Sequence, residues 1–268
     1  MTTLTWALAD GFVVAKRNLI KVKRVPEMIV WVLLSPIMFV LLFAYVFGGS
    51  IDVPGGVNYR EFLIAGIFAQ TVVFGASYTG AALAEDMQKG IIDRFRSLPM
   101  SRAAVLLGRT ASDVLYNVLS ITIMSLTGLL VGWTIRTSVW EAIAGFALLL
   151  LFSYAFSWVM ATVGLLVPNV EVINNASFMV IMPLTFISNA FVPAENLPTP
   201  LRIFAEWNPV SAVTQAAREL FGNTNPLAAA SEAWSMQNAA LYTLIWVVVI
   251  LAIFVPLSVR LYKRSVTK

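Results

Sequence analysis

Residues Ala142–Val170 read AIAGFALLLLFSYAFSWVMATVGLLVPNV, twenty-nine positions without a single ionisable side chain between Glu141 and Glu171. A helix needs roughly 20 such residues to cross the hydrocarbon of a bilayer. Five further charge-free runs in the chain reach that length. Glu27 to Asp52 encloses 24 residues, Glu61 to Glu85 23, Asp113 to Arg136 22, Glu171 to Glu195 23 and Glu232 to Arg260 27. The interval from Glu219 to Glu232 holds only 12 and is too short. The reading is an all-α membrane protein with six transmembrane helices near 28–48, 62–84, 113–133, 142–167, 172–192 and 238–259. Composition agrees: 59% of the 268 residues are hydrophobic and 12% charged, against about 45–50% and about 25% in a soluble domain. Mean hydropathy is +0.82.

The first apolar run is read as a spanning helix and not as a cleaved signal. About 27 residues precede it, and it ends at Phe47-Gly48-Gly49 without a small-residue cleavage site. With six spans both termini lie on one side. That side also receives 85–113 and the 168–171 turn, and it collects fourteen Lys and Arg. The other side holds only Arg60, Arg136, Arg202 and Arg218, while the acids divide seven to seven. The positive-inside bias places both termini in the cytoplasm of a multi-pass protein of the cell membrane. Lipid headgroups therefore account for the basic charge, and no nucleic-acid partner is needed.

Several chemistries are excluded. With no His and no Cys there is no imidazole base, no thiol nucleophile and no zinc-thiolate or His metal site. No intramembrane acid or base is available to couple a proton gradient, apart from Arg109 and Asp113 at the entrance of the third span. Their spacing of four suits a paired boundary charge. No G-x-x-x-x-G-K-[ST] loop occurs, so no helix N-terminus is built to cradle nucleotide phosphates. Uphill transport would need a second polypeptide to hydrolyse nucleotide. An intramembrane lipid transferase is disfavoured because its acids, bases or metal ligands are missing. A nucleotide-independent channel or membrane scaffold remains the alternative to a pump subunit.

Three segments outside the spans have patterns of their own. In 85–102, Met87, Ile91, Phe95 and Leu98 form one apolar stripe of a short cytoplasmic helix, expected over 85–98. Asp86, Lys89, Asp93, Arg94 and Arg96 flank it, Pro99 ends it, and Ser101 can cap the helix that follows. Such a stripe fits a groove on another protein, or lies on the headgroups. Gly90 falls inside it, at a cost of about 1 kcal/mol against Ala. Upstream, Leu8, Phe12, Ala15, Leu19 and Val22 step by 4, 3, 4 and 3 beside five basic residues, which predicts an interfacial helix over 4–25. A basic coiled coil has the same spacing, but two heptads are too few. Between spans five and six, prolines at 193, 198, 200, 209 and 226 divide a loop with helical stretches at 201–207 and 210–221. Leu201, Phe204, Ala205, Val213, Ala216, Ala217 and Leu220 are apolar enough to dip into the outer leaflet.

The chain resembles the ABC-2 type exporter permeases, and among them the daunorubicin-resistance-type drug-efflux permeases. The resemblance rests on LAEDMQKGIIDRFRSLPMSR at 83–102 with Gly108-Arg109, on SNAFVP at 188–193 with Leu197-Pro198, and on Asn208-Pro209-Val210 followed by RELFG at 218–222. It implies that two permease chains, identical or paralogous, pair with two ATP-binding-cassette subunits. Those subunits would bind ATP and Mg, so the permease itself carries no cofactor and catalyses nothing. It also implies an ATPase-coupling set of Glu85, Asp86, Gly90, Ile91, Arg94, Phe95, Leu98, Pro99 and Arg102. Residues 193–222 would form external re-entrant helices. Substrates of the family are amphiphilic drugs, glycolipids or polysaccharides; the absence of an added domain tilts this chain toward a drug-like molecule or a lipid.

Uncharged polar residues within the spans are the candidates for a substrate pathway. They are Gln70, Ser77, Tyr78, Thr79, Asn117, Asn174, Asn175, Ser188 and Asn189, with Pro183 as a kink point. The plain alternative for each is an inter-helix hydrogen bond, worth about 0.6 kcal/mol in a bilayer. The small residues Gly75, Ala76, Gly80, Ala81 and Ala82 suit close helix packing.

Overall fold

The structure, a computed structural model, describes Leu34, residues 37–47, Val53, and residues 58–91, 102–167, 169–224 and 231–264. All regular structure among these residues is helical. In chain order the helices are α1 (Ile37–Val46, ending in a π turn over Phe43–Phe47), α2 (Tyr59–Gln88), α3 (Arg102–Val131), α4 (Val139–Leu166) and α5 (Val170–Phe186). A 3-10 turn at Ala194–Asn196 then leads to α6 (Thr199–Trp207), α7 (Pro209–Phe221), α8 (Trp234–Gln237) and α9 (Ala239–Arg264). The predicted interfacial helix at 4–25 and the start of the first span lie outside the described residues.

Among the described residues, four helices are long and apolar enough to cross a membrane: α2, α3 from Leu106, α4, and α9 to Tyr262. α1 and α5 are apolar but shorter. The span expected over 172–192 is corrected in one respect: its helix stops at Phe186. Seventeen residues reach only about 25 Å at 1.5 Å each, short of the ~30 Å core. Residues 187–192 leave helical geometry and fold over as an irregular turn.

α2 is the central helix, buried almost all round from Tyr59 to Val73. Its main partner is α4, and α3, α5 and α7 pack around it. Small residues permit this. A Cβ added to Gly80 would lie 2.6 Å from the Met160 carbonyl oxygen, and one added to Gly164 2.5 Å from that of Gly80. Helix starts are capped from the local sequence. Asn58 accepts from the Arg60 amide, Asn169 from Glu171 and Val172, and Ser138 and Glu141 form a reciprocal capping box.

The bundle has two ends. At the lower end Leu83, Leu106, Trp158, Ala161, Leu165 and Tyr262 pack together, joining the end of α2, the start of α3 and the ends of α4 and α9. At the upper end Phe68, Trp133, Phe146 and Phe221 meet largely edge to face, with centroids 4.8–6.1 Å apart. The strap after α3 is sewn to the end of α7 there: Arg136 N donates to Phe221 O at 2.9 Å, and Asn223 Nδ2 to Thr134 O at 2.9 Å. Gly222, at φ 72, turns the chain out of α7. Trp133 Nε1 donates to Asn223 Oδ1 at 2.7 Å inside this knot. Trp133→Phe is expected to cost about 2 kcal/mol, because the buried amide oxygen loses its donor and a void opens. A thermal melt in detergent reads the loss, and an unchanged midpoint would remove the strap from the list of stabilising contacts.

Candidate functional site

The lower end carries the segment singled out for contact with another protein. α2 does not stop at the predicted boundary at Ala84. It runs through Glu85, Asp86 and Met87 to Gln88, and Lys89 closes it by donating its amide to Glu85 O. Gly90 then adopts φ 63, the left-handed conformation that ends helices. Of the helix expected over 85–98, only residues 85–91 are described. Met87 belongs to α2, Gly90 is a break and not a helical interior residue, and Ile91 lies beyond the break. Nothing lies within 4 Å of the position of a Gly90 Cβ. Lys89 pairs with Glu85 at 2.5 Å on the exposed side, and that hydrogen bond raises the lysine pKa. Arg94, Phe95, Leu98 and Pro99 lie outside the described residues. Arg102 is the first residue of α3.

The third span is also re-bounded. Asp113 is not its first residue, since α3 begins eleven residues earlier and brings Asp113 inside the bundle, 2% exposed. Arg109 Nη2 lies 3.3 Å from Asp113 Oδ1 and donates to the Tyr78 carbonyl at 3.3 Å. Thr79 Oγ1 donates to the other carboxylate oxygen. Asn117 Nδ2 donates to Asp113 O at 3.0 Å and to Ser153 Oγ at 2.9 Å, and Ser153 reaches Val72 O. Gly75 makes room for this amide, since a Cβ there would sit 2.4 Å from Asn117 Oδ1. The charged pair therefore anchors a polar chain across α2, α3 and α4.

Of the pathway candidates, Tyr78, Thr79 and Asn117 come together around this pair, with the Tyr78 ring exposed. Gln70 is buried higher on α2. Asn174 and Asn175 face outward from α5, which buries only Ile173, Ser177, Ile181 and Thr185. Ser77 bonds back to Phe74 O within its own helix. Asn189 and Ser188 sit in the irregular turn at the upper end. These candidates are distributed over both ends of the bundle and the outer face of α5.

The upper end holds a functional group that the sequence reading leaves on the outer, watery side. Arg218 is 1% exposed. Its Nε donates to Phe62 O at 2.9 Å, and Nη2 to Asn189 O at 2.7 Å and Ala190 O at 3.1 Å. The guanidinium lies 3.5 Å over the Phe62 ring, a cation on an aromatic face. Burial lowers its pKa to about 9, opposed by the charge of Glu195, so it stays cationic at neutral pH. A signal was available, because Val210, Thr214, Arg218 and Phe221 share one helical face and the first and last are core residues. The outer-leaflet expectation divides accordingly. Val213, Ala216, Ala217 and Ala205 are buried in protein and Leu220 is half-buried, whereas Leu201 and Phe204 are exposed with Ile203 and Trp207 on α6. The other arginines of the sparse side are also at this end. Arg136 pairs with Glu61 at 2.7 Å, Arg60 reaches Val131 O, and Arg202 pairs with Glu206.

Comparison with known proteins follows the same lines. The family described as ABC-2 type transporter matches residues 11–221. The chain is 31% identical over 249 residues to the daunorubicin resistance ABC transporter permease protein DrrB1 of Streptomyces coeruleorubidus, covering 93% of this chain and 84% of that one. It is 25% identical to the putative transport permease ycf38 of Cyanophora paradoxa, over 84% of this chain and 78% of that one. With the corresponding protein of Porphyra purpurea the identity is 23%, over 78% and 73%.

Proposed function

Because the chain belongs to the ABC-2 type transporter family, we propose that it is the membrane-embedded subunit of an exporter whose ATP is hydrolysed by separate ATP-binding-cassette subunits. Two permease chains and two ATP-binding subunits make the working unit. Six segments cross the cell membrane, with α1 and α5 completing the set begun by the four long helices, and both termini are cytoplasmic. The lower end of the bundle then faces the cytoplasm. There α2 delivers the chain through Glu85, Asp86, Gly90 and Ile91 into the segment that ends at Arg102, and the ATP-binding subunit receives that segment in a cleft. Arg94, Phe95, Leu98 and Pro99 supply its contact face.

The observation that carries this reading is the unbroken α2. One thirty-residue helix joins the docking segment to the opposite end of the bundle, so displacement at the cytoplasmic side is delivered to the outer mouth. The absence of a phosphate-binding loop from the sequence supports a borrowed motor. The substrate is an amphiphile, drug-like or lipid; the drug-like reading is supported by similarity to the daunorubicin resistance permease of Streptomyces.

The test is reconstitution with the ATP-binding subunit and an amphiphilic dye. The intact complex is expected to move dye only with ATP, and deletion of 87–98 to reduce that movement to background while the permease still inserts. Undiminished ATP-dependent movement after the deletion would overturn the assignment. Dye flux through the isolated permease, indifferent to nucleotide, would replace the exporter with a channel.

A further inference from the structure

We propose that Arg218 is a positioning residue of the transport cycle, a clamp that holds the irregular turn 187–191 across the upper end of α2 and keeps the outer mouth closed. The proposal rests on the exporter reading for which end is outer, and it extends that reading to how the exit is shut.

The turn is an unusual object for its surroundings. Ser188, Asn189, Ala190 and Phe191 are all buried, yet their backbone is not helical. Irregular backbone at membrane depth persists only where protein satisfies its polar groups. Here much of that satisfaction comes from one face of α7. Asn208, Ser211, Gln215 and Arg218 step by 3, 4 and 3 along that helix. Asn208 Nδ2 donates to Leu184 O at 2.7 Å and Ile187 O at 2.9 Å, holding the free end of α5. Ser211 Oγ accepts the Asn189 amide at 3.0 Å, and Gln215 Oε1 lies 3.5 Å from Asn189 Nδ2. Arg218 takes the Asn189 and Ala190 carbonyls and, alone of the four, also reaches α2, through Phe62 O.

The contact with α2 is close. A Cβ on Gly66 would fall 1.9 Å from Ala190 O, so the turn lies directly on the α2 backbone. Tyr59 Oη donates to Phe191 O at 3.1 Å, and the Phe191 ring stacks on Phe43 of α1 and against Phe186. Helices α1, α2, α5 and α7 thus converge on five residues, and a conduit opening at this end must part them. One feature favours a clamp that can be released: Arg218 Nη1 is buried without a hydrogen-bond partner. Glu195, exposed four residues past the turn, is the carboxylate whose charge acts on the guanidinium.

The experiment uses the permease with its ATP-binding subunit in liposomes loaded with self-quenched carboxyfluorescein, without nucleotide. Wild type is expected to hold the dye. Arg218→Met, which removes the charge-assisted bonds, is expected to raise passive release by about tenfold or more and to lower the substrate moved per ATP. Arg218→Lys, which keeps charge and donors, should restore tightness. Should Arg218→Met fail to assemble, Tyr59→Phe removes one hydroxyl from the same turn and is expected to leak in the same direction, less strongly. Tight vesicles from Arg218→Met, or from Tyr59→Phe where that must stand in, overturn the clamp; so does leak that lysine fails to reduce. A failure of the exporter reading shows itself separately, as wild-type complex that moves no substrate with ATP.

Discussion

Alanine in place of Gly164 is expected to lower stability by about 3 kcal/mol, and leucine there to leave no monodisperse protein in detergent. The reason is backbone against backbone. The new Cβ would lie 2.5 Å from the Gly80 carbonyl oxygen and 2.9 Å from its Cα, and neither atom can swing aside as a side-chain tip does. α4 must therefore lift from α2, the pair with the most extensive contact in the bundle. Leu83, Ala161 and Leu165 lose their packing nearby. Gly80→Ala meets Met160 O at 2.6 Å and should behave alike. Gly90→Ala is the control, since its cost is only that of the left-handed φ, about 1 kcal/mol. Circular dichroism melts of the three variants decide the matter. Equal midpoints for Gly164→Ala and Gly90→Ala would mean that the crossing yields easily and that α2 and α4 are not a rigid pair.

The helices are legible in the sequence because a membrane leaves so few choices. Long runs without ionisable residues locate α2, α4 and α9 within about five residues, whereas α3 begins eleven residues before its run. What misleads is the use of every charge as a marker of water. Glu85 and Asp86 look like the end of a span, yet α2 continues to Gln88, because the residue that ends it is Gly90 and not a charge. Arg109 and Asp113 look like the entrance of a helix, and they lie within it because each neutralises the other. Arg218 looks like part of an outer loop, and three backbone carbonyls with one aromatic ring receive it in the interior. A count of charges carries no information about partners, and partners decide burial. The irregular turn is invisible for a related reason. Its sequence, from Ile187 to Phe191, contains no charge, glycine or proline to mark a break. Asn208, Ser211 and Arg218, some twenty to thirty residues on, and Tyr59, far upstream, make a non-helical path tolerable there. The candidate pathway residues lie on several helix faces, with Thr79 and Asn117 joined to the Arg109–Asp113 pair and Asn174 and Asn175 outward on α5.

Arg109→Leu is expected to cost about 3–5 kcal/mol, the range for breaking a buried pair from one side. Asp113 would keep the Thr79 hydroxyl but lose its paired cation, at a position 2% exposed. Asp113→Asn should cost less. Arg109 is partly solvated, with 14% of its side chain accessible, and it retains the Tyr78 carbonyl. The asymmetry identifies the carboxylate as the costly partner. Arg109→Leu combined with Asp113→Leu removes both charges, and its cost is expected to fall below the sum of the single changes by about 2 kcal/mol, as residues in contact do. Asn117 can hold its place in the double variant through Ser153 Oγ and the Asp113 backbone carbonyl, neither of which the substitutions delete. Unfolding midpoints for wild type, Arg109→Leu, Asp113→Leu and the double variant close the cycle. Additive costs would show that the two side chains do not share their stabilisation, and the polar chain across α2, α3 and α4 would then have to be held by Thr79, Asn117 and Ser153 alone.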